Sequence, residues 1–394
     1  MKTENPSPLP LSQRERGEAP SPSALPQRGR GLNPSPGGRG VGARAIFING
    51  RFLTQPLTGV QRYCRELLRA MDALNPDVEL VCLAPPEEFQ RPDWKNIRLE
   101  IVGKNRGNLW EQIDLPLALR GGFLFSPANL GPFFYTNQAV TMHDASTYAV
   151  PEAYSLGFRL KYRLGFGLLA RLAKMIFTDS QFSRRELARF TGVGESRFHV
   201  ILLGGDHFIE AEPDDSVLDE FGLREKPFLL MVANQSPHKN TARLIEAASQ
   251  IRVENIHFAL GGRSQAIFQQ ESLGRLPDHI LPLGYVSDAA LLALYRHAIG
   301  FIFPSRYEGF GLPVLEAMNC GCPVLCSRAA SLLEVGGDAA LYFDPLDVDD
   351  MAAKIGQFLG DPALSARLKA RGLAQARRFT WQQAASQTLE LLLG

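Results

Sequence analysis

The chain has 394 residues, 45% of them hydrophobic and 21% charged, with a formal net charge of +1. That length gives room for two domains with separate cores, and the near-neutral charge argues against nucleic acid as a partner. No run reaches the roughly 18 apolar residues of a membrane span, and no apolar core marks a secretory signal, so a cytoplasmic protein is expected. The five cysteines, Cys64, Cys82, Cys320, Cys322 and Cys326, are too few and too odd in number for a disulfide framework. The close set Cys320, Cys322 and Cys326 has no partner ligands at matching spacing, so it reads as small buried thiols and not as a metal site.

Residues 1–44 stand apart. They hold seven Lys/Arg against three acidic residues and three imperfect copies of one Pro-, Ser- and Arg-rich theme, at Pro6–Gly17, Pro20–Gly31 and Asn33–Gly40. Almost nothing in them can be buried to offset ordering entropy, so a disordered tail is expected. A mis-assigned start near Arg44 is the sharper reading of the same repeats.

From Ala45 the pattern changes to short apolar runs alternating with helical stretches. Strands are expected at Ala45–Asn49, Val78–Ala84, Ile97–Val102, Phe123–Phe125, Ala139–Met142, Met175–Thr178 and Phe198–Leu203, with a helix over Val60–Leu74. The pattern restarts at Pro227–Ala233, with strands at Ile256–Leu260, Leu281–Leu283, Gly300–Pro304, Pro323–Cys326 and Leu341–Phe343. Helices fall at Thr241–Ile251, Asp288–His297 and Pro313–Asn319, and Asp347 reads as the N-cap of another. Buried-type strands alternating with helices predict parallel α/β layers. The acidic segment Glu210–Asp219 reads as a weakly structured linker. Two doubly wound units in succession predict a cleft where the carboxyl ends of their strands face each other.

The most informative stretch is Phe303–Ser327, FPSRYEGFGLPVLEAMNCGCPVLCS. A strand end, a Gly309-Phe310-Gly311 turn and Pro313 at a first helical turn leave free backbone N–H groups and a positive helix end. That construction suits a phosphate or sugar oxygens, and the two glycines let a ligand approach the backbone. Glu308 and Glu316 flank the turn. They can hold one extended ligand at two points.

The run Glu308-Gly-Phe-Gly-Leu-Pro-Val-Leu-Glu316 resembles the E-x7-E signature of retaining glycosyltransferase family 4, whose members have the GT-B fold. The resemblance extends over nearly all of 45–394. It implies an α/β architecture of two Rossmann-like domains facing across a cleft. Expected units are the tail at 1–44, an acceptor-side domain at 45–208, a nucleotide-sugar-binding domain at 209–376, and a terminal helix at 377–394 crossing back to the first domain. The family's roles put Glu308 beside the donor sugar and Glu316 on the nucleotide ribose, with Gly309, Phe310, Gly311 and Leu312 lining the donor. Thr58 and Gly59 resemble the N-terminal loop that approaches the donor phosphate. Trp110-Glu111-Gln112, Thr178–Ser183 and Phe379-Thr380-Trp381 resemble further family segments. His143-Asp144 resembles the HD-type motif, which implies a histidine at the donor sugar, with Asp144 and Thr58 on the acceptor side. In Asn234–Asn240, His238 and Lys239 resemble the phosphate-binding loop, but Asn234 stands where many members carry an arginine. His238, Arg263 and Arg306 are the candidates to supply that charge.

The resemblance implies transfer of a hexose with retention, with Lys239, the Gly59 backbone and the Gly309–Gly311 helix end stabilising the departing diphosphate and no metal or other cofactor required. The EGFGLPVLEAM and PHKN pair resembles bacterial mannosyltransferases, which implies GDP-mannose as donor and a lipid-linked or envelope glycan as acceptor. Phe158–Lys174 mixes basic and aromatic residues; it reads as an ordinary domain helix, with peripheral contact at the inner face of a membrane as the rival. A nucleotide-sugar epimerase of similar architecture and a degenerate, non-catalytic binding subunit remain the alternatives. Deleting residues 1–43 is expected to leave melting temperature and donor binding unchanged; a loss of several degrees would contradict this.

Overall fold

The computed structural model describes residues 45–209, 211–233, 236–251, 255–262 and 276–394. The expectations for the tail, for Asn234 and for Arg263 lie outside those residues.

The first sheet has seven parallel strands in the order β3-β2-β1-β4-β5-β6-β7. They run Ile46–Asn49 (β1), Leu80–Ala84 (β2), Ile97–Ile101 (β3), Phe123–Ser126 (β4), Gln138–Thr141 (β5), Met175–Thr178 (β6) and Phe198–Val200 (β7). The second has six, in the order β10-β9-β8-β11-β12-β13. These are Phe228–Ala233 (β8), His257–Gly262 (β9), Ile280–Gly284 (β10), Gly300–Phe303 (β11), Val324–Ser327 (β12) and Ala340–Phe343 (β13). All residues of β2, β5, β11 and β12 are buried, as sheets covered on both faces by crossover helices require. Two parallel-sheet α/β domains result.

Each sheet reverses its strand order once, between β1 and β4 in the first and between β8 and β11 in the second. Such switch points open a crevice at the carboxyl ends of the strands. The helices that frame the crevice are Gly59–Leu74 (α1), Leu156–Leu172 (α2), Gln181–Thr191 (α3), Ser216–Glu220 (α4), Thr241–Gln250 (α5), Asp288–His297 (α6) and Leu312–Asn319 (α7). After them come Val348–Gly360 (α8), Pro362–Ala376 (α9) and Trp381–Leu393 (α10). Asp347 caps α8, accepting hydrogen bonds from the N–H groups of Asp349 and Asp350.

The amphipathic α1 buries Tyr63, Cys64, Leu67, Leu68 and Met71, and the last helix, α10, packs on it. Trp381, 3% exposed, lies 6.1 Å from the Tyr63 ring, and its backbone N–H donates to Asp206 at 2.9 Å. The carboxyl-terminal helix therefore returns to the first long helix of the amino-terminal domain, α1.

The expected linker does join the two sheets, but it is more ordered than its composition suggests. The segment from 211 contains α4, whose Val217 and Leu218 are buried, and Asp214 N–H donates to the carbonyl of Ala289 on α6. Its two adjacent apolar residues dock a single turn despite the acidic surroundings. The five cysteines are free thiols, four of them buried. Among the described residues no helix is long and apolar enough to cross a membrane.

Candidate functional site: two chambers that share one wall

Lys239 and Glu308 follow β8 and β11, the two strands at the switch point of the second sheet. Their loops are fastened to each other. Asn240 adopts a left-handed backbone conformation (φ 62°), and its side-chain amide donates to Pro304 O at 3.1 Å and Pro345 O at 2.7 Å. Arg306 N–H donates to His238 O at 2.8 Å. Between the two loops Lys239 Nζ donates to Glu308 Oε1 at 2.6 Å.

Serines hold the turn after Glu308. Ser331 Oγ donates to Glu308 O and Phe310 O, and Ser180 and Ser183, at the start of α3, both donate to Gly309 O at 2.6 and 3.0 Å. A Cβ on Gly309 would meet Asp144 Cβ at 2.7 Å and His143 O at 2.9 Å. Gly311 caps α7 with φ 107°, and a Cβ there would meet Leu332 at 2.5 Å. The close approach at Gly309 and the positive φ at Gly311 require glycine at both positions.

A chamber of about 390 Å³ lies over this turn. Thr58, Gly59, His143, Asp144, Lys239, Glu308, Gly309, Phe310, Gly311, Leu312 and Glu316 all line it, so the structure brings together eleven expected residues in one place. His238 is turned instead to a neighbouring cavity of about 610 Å³. Burial, then Lys239, lowers its pKa, which favours the neutral ring. The two chambers share Thr58, Val60, Asp144, Lys239 and Glu308. Arg306 lines neither; it lies 3.6 Å from Glu152. Among the described residues, the Lys and Arg side chains lining the first chamber are Arg62 and Lys239.

Glu316, 5% exposed, sits at the far end of the first chamber. Tyr295 donates to its Oε2 at 3.3 Å, His207 Nε2 lies 3.2 Å from its Oε1, and Arg62 Nε lies 3.9 Å away. Arg62 also reaches Asp288 at 2.5 Å, linking α1 to α6 across the crevice. Arg62, His207 and Asp288 carry no sequence signal, because the fold alone brings their remote segments together.

His143, 6% exposed, has both ring nitrogens engaged: Nδ1 with Asp179 Oδ2 at 2.8 Å and Nε2 with Pro127 O at 3.0 Å. A carbonyl and a carboxylate both accept, so the pair holds a proton between them and the second nitrogen carries its own. Burial opposes the charge on the ring, but Asp179, Asp144 and the Pro127 carbonyl outweigh it, and the pKa of His143 is raised. Burial raises that of Asp179. Asp179 belongs to the Thr178–Ser183 segment, whose resemblance assigned no role to the acid itself.

In the second chamber Asn49 Nδ2 donates to Glu111 Oε1 at 2.9 Å and Arg51 donates to Oε2 at 2.5 Å. A π-helical turn at Trp110–Asp114 presents Glu111, an irregularity common at functional sites. Trp110 and Gln112 are structural, bonded to Val102 O and across Gly131 O and Phe133 N.

Residues 218–375 match the family model Glycosyl transferases group 1. The chain is 34% identical over 367 residues to O-antigen chain mannosyltransferase B of Escherichia coli, covering 85% of this chain and 95% of that protein. The chain belongs to the group 1 glycosyltransferases. A second relative of this glycosyltransferase, MMP alpha-(1->4)-mannosyltransferase of Mycolicibacterium hassiacum, is 30% identical over 56% of the chain and 54% of that protein. Among solved structures, WaaG, a glycosyltransferase involved in lipopolysaccharide biosynthesis, superposes with a TM-score of 0.68 at 16% identity, covering 89% of this chain and all of that one. Anabaena Alr3699/HepE, in complex with UDP and glucose, gives 0.67 at 20% identity, covering 88% and 98%. Both share the fold.

The His143–Asp179 pair makes a pH prediction. A histidine raised above its ordinary value of about 6.5 contributes stability that is complete below that value and is lost as pH rises through the folded value. Asp179, also raised, acts in the same direction. Urea unfolding of the parent should therefore show stability falling as pH rises above about 6.5. In Asp179→Asn, where burial acts on the ring without its counterion, that slope should flatten or reverse. An identical slope in both proteins would contradict the pairing.

Proposed function

We propose that this glycosyltransferase moves mannose from GDP-mannose to a growing envelope glycan, with retention at the anomeric carbon. The observation that carries the reading is the meeting of two chambers at Lys239, Glu308 and Asp144. A donor in the first and an acceptor in the second would react at that shared wall. The likeness to O-antigen chain mannosyltransferase B over nearly its whole length supports the choice of sugar and of acceptor class.

In this reading the ribose binds Glu316 at the far end of the first chamber. The diphosphate lies between Lys239, the amino-terminal end of α7 and the backbone at Gly59, where a Cβ would meet nothing within 4 Å. Positive charge fixed in advance at the leaving group lowers the barrier without reorganisation, and Lys239 with the helix end supplies it without a metal ion. The bond from C1 to the phosphate oxygen breaks, the acceptor oxygen attacks from the same face, and its proton passes to the departing phosphate. Glu308 stabilises the positive sugar. His143, held by Asp179 and Pro127, acts by fixing the loop after β5 and placing a positive charge near the reaction centre.

Work on an envelope glycan implies a cytoplasmic position at the inner membrane face. On α2 Leu156, Leu160 and Leu164 are exposed beside Arg159, Lys161 and Arg163, which suits an anionic lipid surface.

Glu308→Gln keeps an acceptor for Lys239 but removes the charge, so kcat should fall by about a hundredfold or more with little change in donor affinity. Glu316→Gln should mainly raise the donor KM, by about tenfold. Steady-state kinetics with GDP-mannose and an oligomannoside acceptor measures both. Parent-like kcat in Glu308→Gln, or an unchanged donor KM in Glu316→Gln, would overturn the respective role.

A further inference from the structure

We propose that the second chamber is built for the neutral terminal sugars of a glycan and discriminates against phosphorylated or otherwise anionic acceptors. The inference rests on the transferase reading above and adds to it the class of acceptor. Its size, about 610 Å³, lies within the ~300–1,000 Å³ usual for small-molecule sites, enough for the end of a glycan.

Two walls define the chemistry. The first is a column of aromatic rings from the start of α2: Tyr154 stacks on Phe158 with centroids 5.3 Å apart, and Phe158 on Tyr162 at 4.2 Å. All three line the chamber. Aromatic rings offer apolar faces to the C–H face of a pyranose at little conformational cost. The second wall is the hydrogen-bonded set Asn49, Arg51 and Glu111. Glu111 is 2% exposed, and its two oxygens are already oriented by Asn49 and Arg51. A guanidinium fork beside a carboxylate presents donors and acceptors together, as a sugar's vicinal hydroxyls require.

The charge balance decides the class. The charge of each of the chamber's two permanent cations is balanced by a carboxylate: Arg51 Nη1 lies 2.5 Å from Glu111, and Lys239 lies 2.6 Å from Glu308. His238 is held neutral by burial and by Lys239. Asp144 remains, its Oδ1 accepting only the N–H of Ser146 at 2.7 Å. A phosphate on the acceptor would lose its water, find the lining Arg51 and Lys239 each already paired with a carboxylate, and face a further carboxylate in Asp144. When a donor diphosphate engages Lys239, Glu308 loses its counterion and the chamber becomes more negative still. A neutral sugar meets none of these costs.

The test uses the full chain, GDP-mannose and a panel of matched disaccharide methyl glycosides, each unmodified and with a phosphate on its terminal sugar. The unmodified acceptor of a pair should have a kcat/KM at least about tenfold higher. Tyr162→Ala should raise acceptor KM about three- to tenfold and donor KM by less, with Tyr162→Phe restoring the parent value. Tyr154→Ala is the second variant should the first not fold. Glu111→Gln, which frees Arg51, should narrow the discrimination against phosphate. Phosphorylated acceptors that match or exceed their neutral partners would overturn the inference. So would an unchanged acceptor KM in the tyrosine variants, or donor hydrolysis with no neutral glycoside used. A parent that turns over no nucleotide sugar would instead overturn the transferase reading, and this inference with it.

Discussion

Lys239 and Glu308 are 69 residues apart in the chain, yet their side chains meet at 2.6 Å with only 18% and 13% of each exposed. They meet because β8 and β11 are neighbours at a reversal of strand order, and the loops that leave two such strands open into the same crevice. A charge so far withdrawn from water needs a partner. While the crevice is empty that partner is the other member of the pair. In the proposed reaction a diphosphate entering the first chamber would offer Lys239 a stronger anion and leave Glu308 free beside the sugar that becomes positive, and the proposed roles of the rest of the site depend on that exchange.

The remainder of the structure holds that pair in place across two sheets. Asn240 ties the loop of one member to that of the other. The Gly309 carbonyl receives two serine hydroxyls from the first sheet's side, and Glu334 in return accepts the N–H groups of Gln181 and Phe182 at the start of α3. These contacts are polar and short, and they span few residues. Beside them a continuous apolar cluster runs from α1 and the first sheet through Phe310 and Trp381 to the second sheet, so the polar contacts fix the register of a junction that buried side chains also hold.

Much of this was legible in the sequence because local patterns encode it. Short apolar runs bounded by turn residues located all thirteen described strands within a few residues, and the Glu308–Glu316 spacing marked the helix end that lines the first chamber. What the sequence hid is pairing across distance. Nothing local says that His143 must share a proton with Asp179, or that Arg51 and Glu111, 60 residues apart, build one wall. Nor did spacing reveal that Lys239 and Glu308, each expected at the site, touch. The glycines show the same limit. Gly309 and Gly311 read correctly as a turn, but the atoms that forbid a Cβ, in Asp144, His143 and Leu332, come from elsewhere in the chain. The acidic segment after 210 misled because composition outweighed the two apolar residues, Val217 and Leu218, that dock α4.

The most direct test of the exchange compares a nucleoside diphosphate with its monophosphate. In calorimetric titrations, Lys239→Met should weaken GDP binding by about tenfold or more, the loss of a charge-assisted hydrogen bond, and should weaken GMP binding far less. Equal losses for the two nucleotides, or no loss for either, would contradict the account that the β-phosphate takes Lys239 from Glu308.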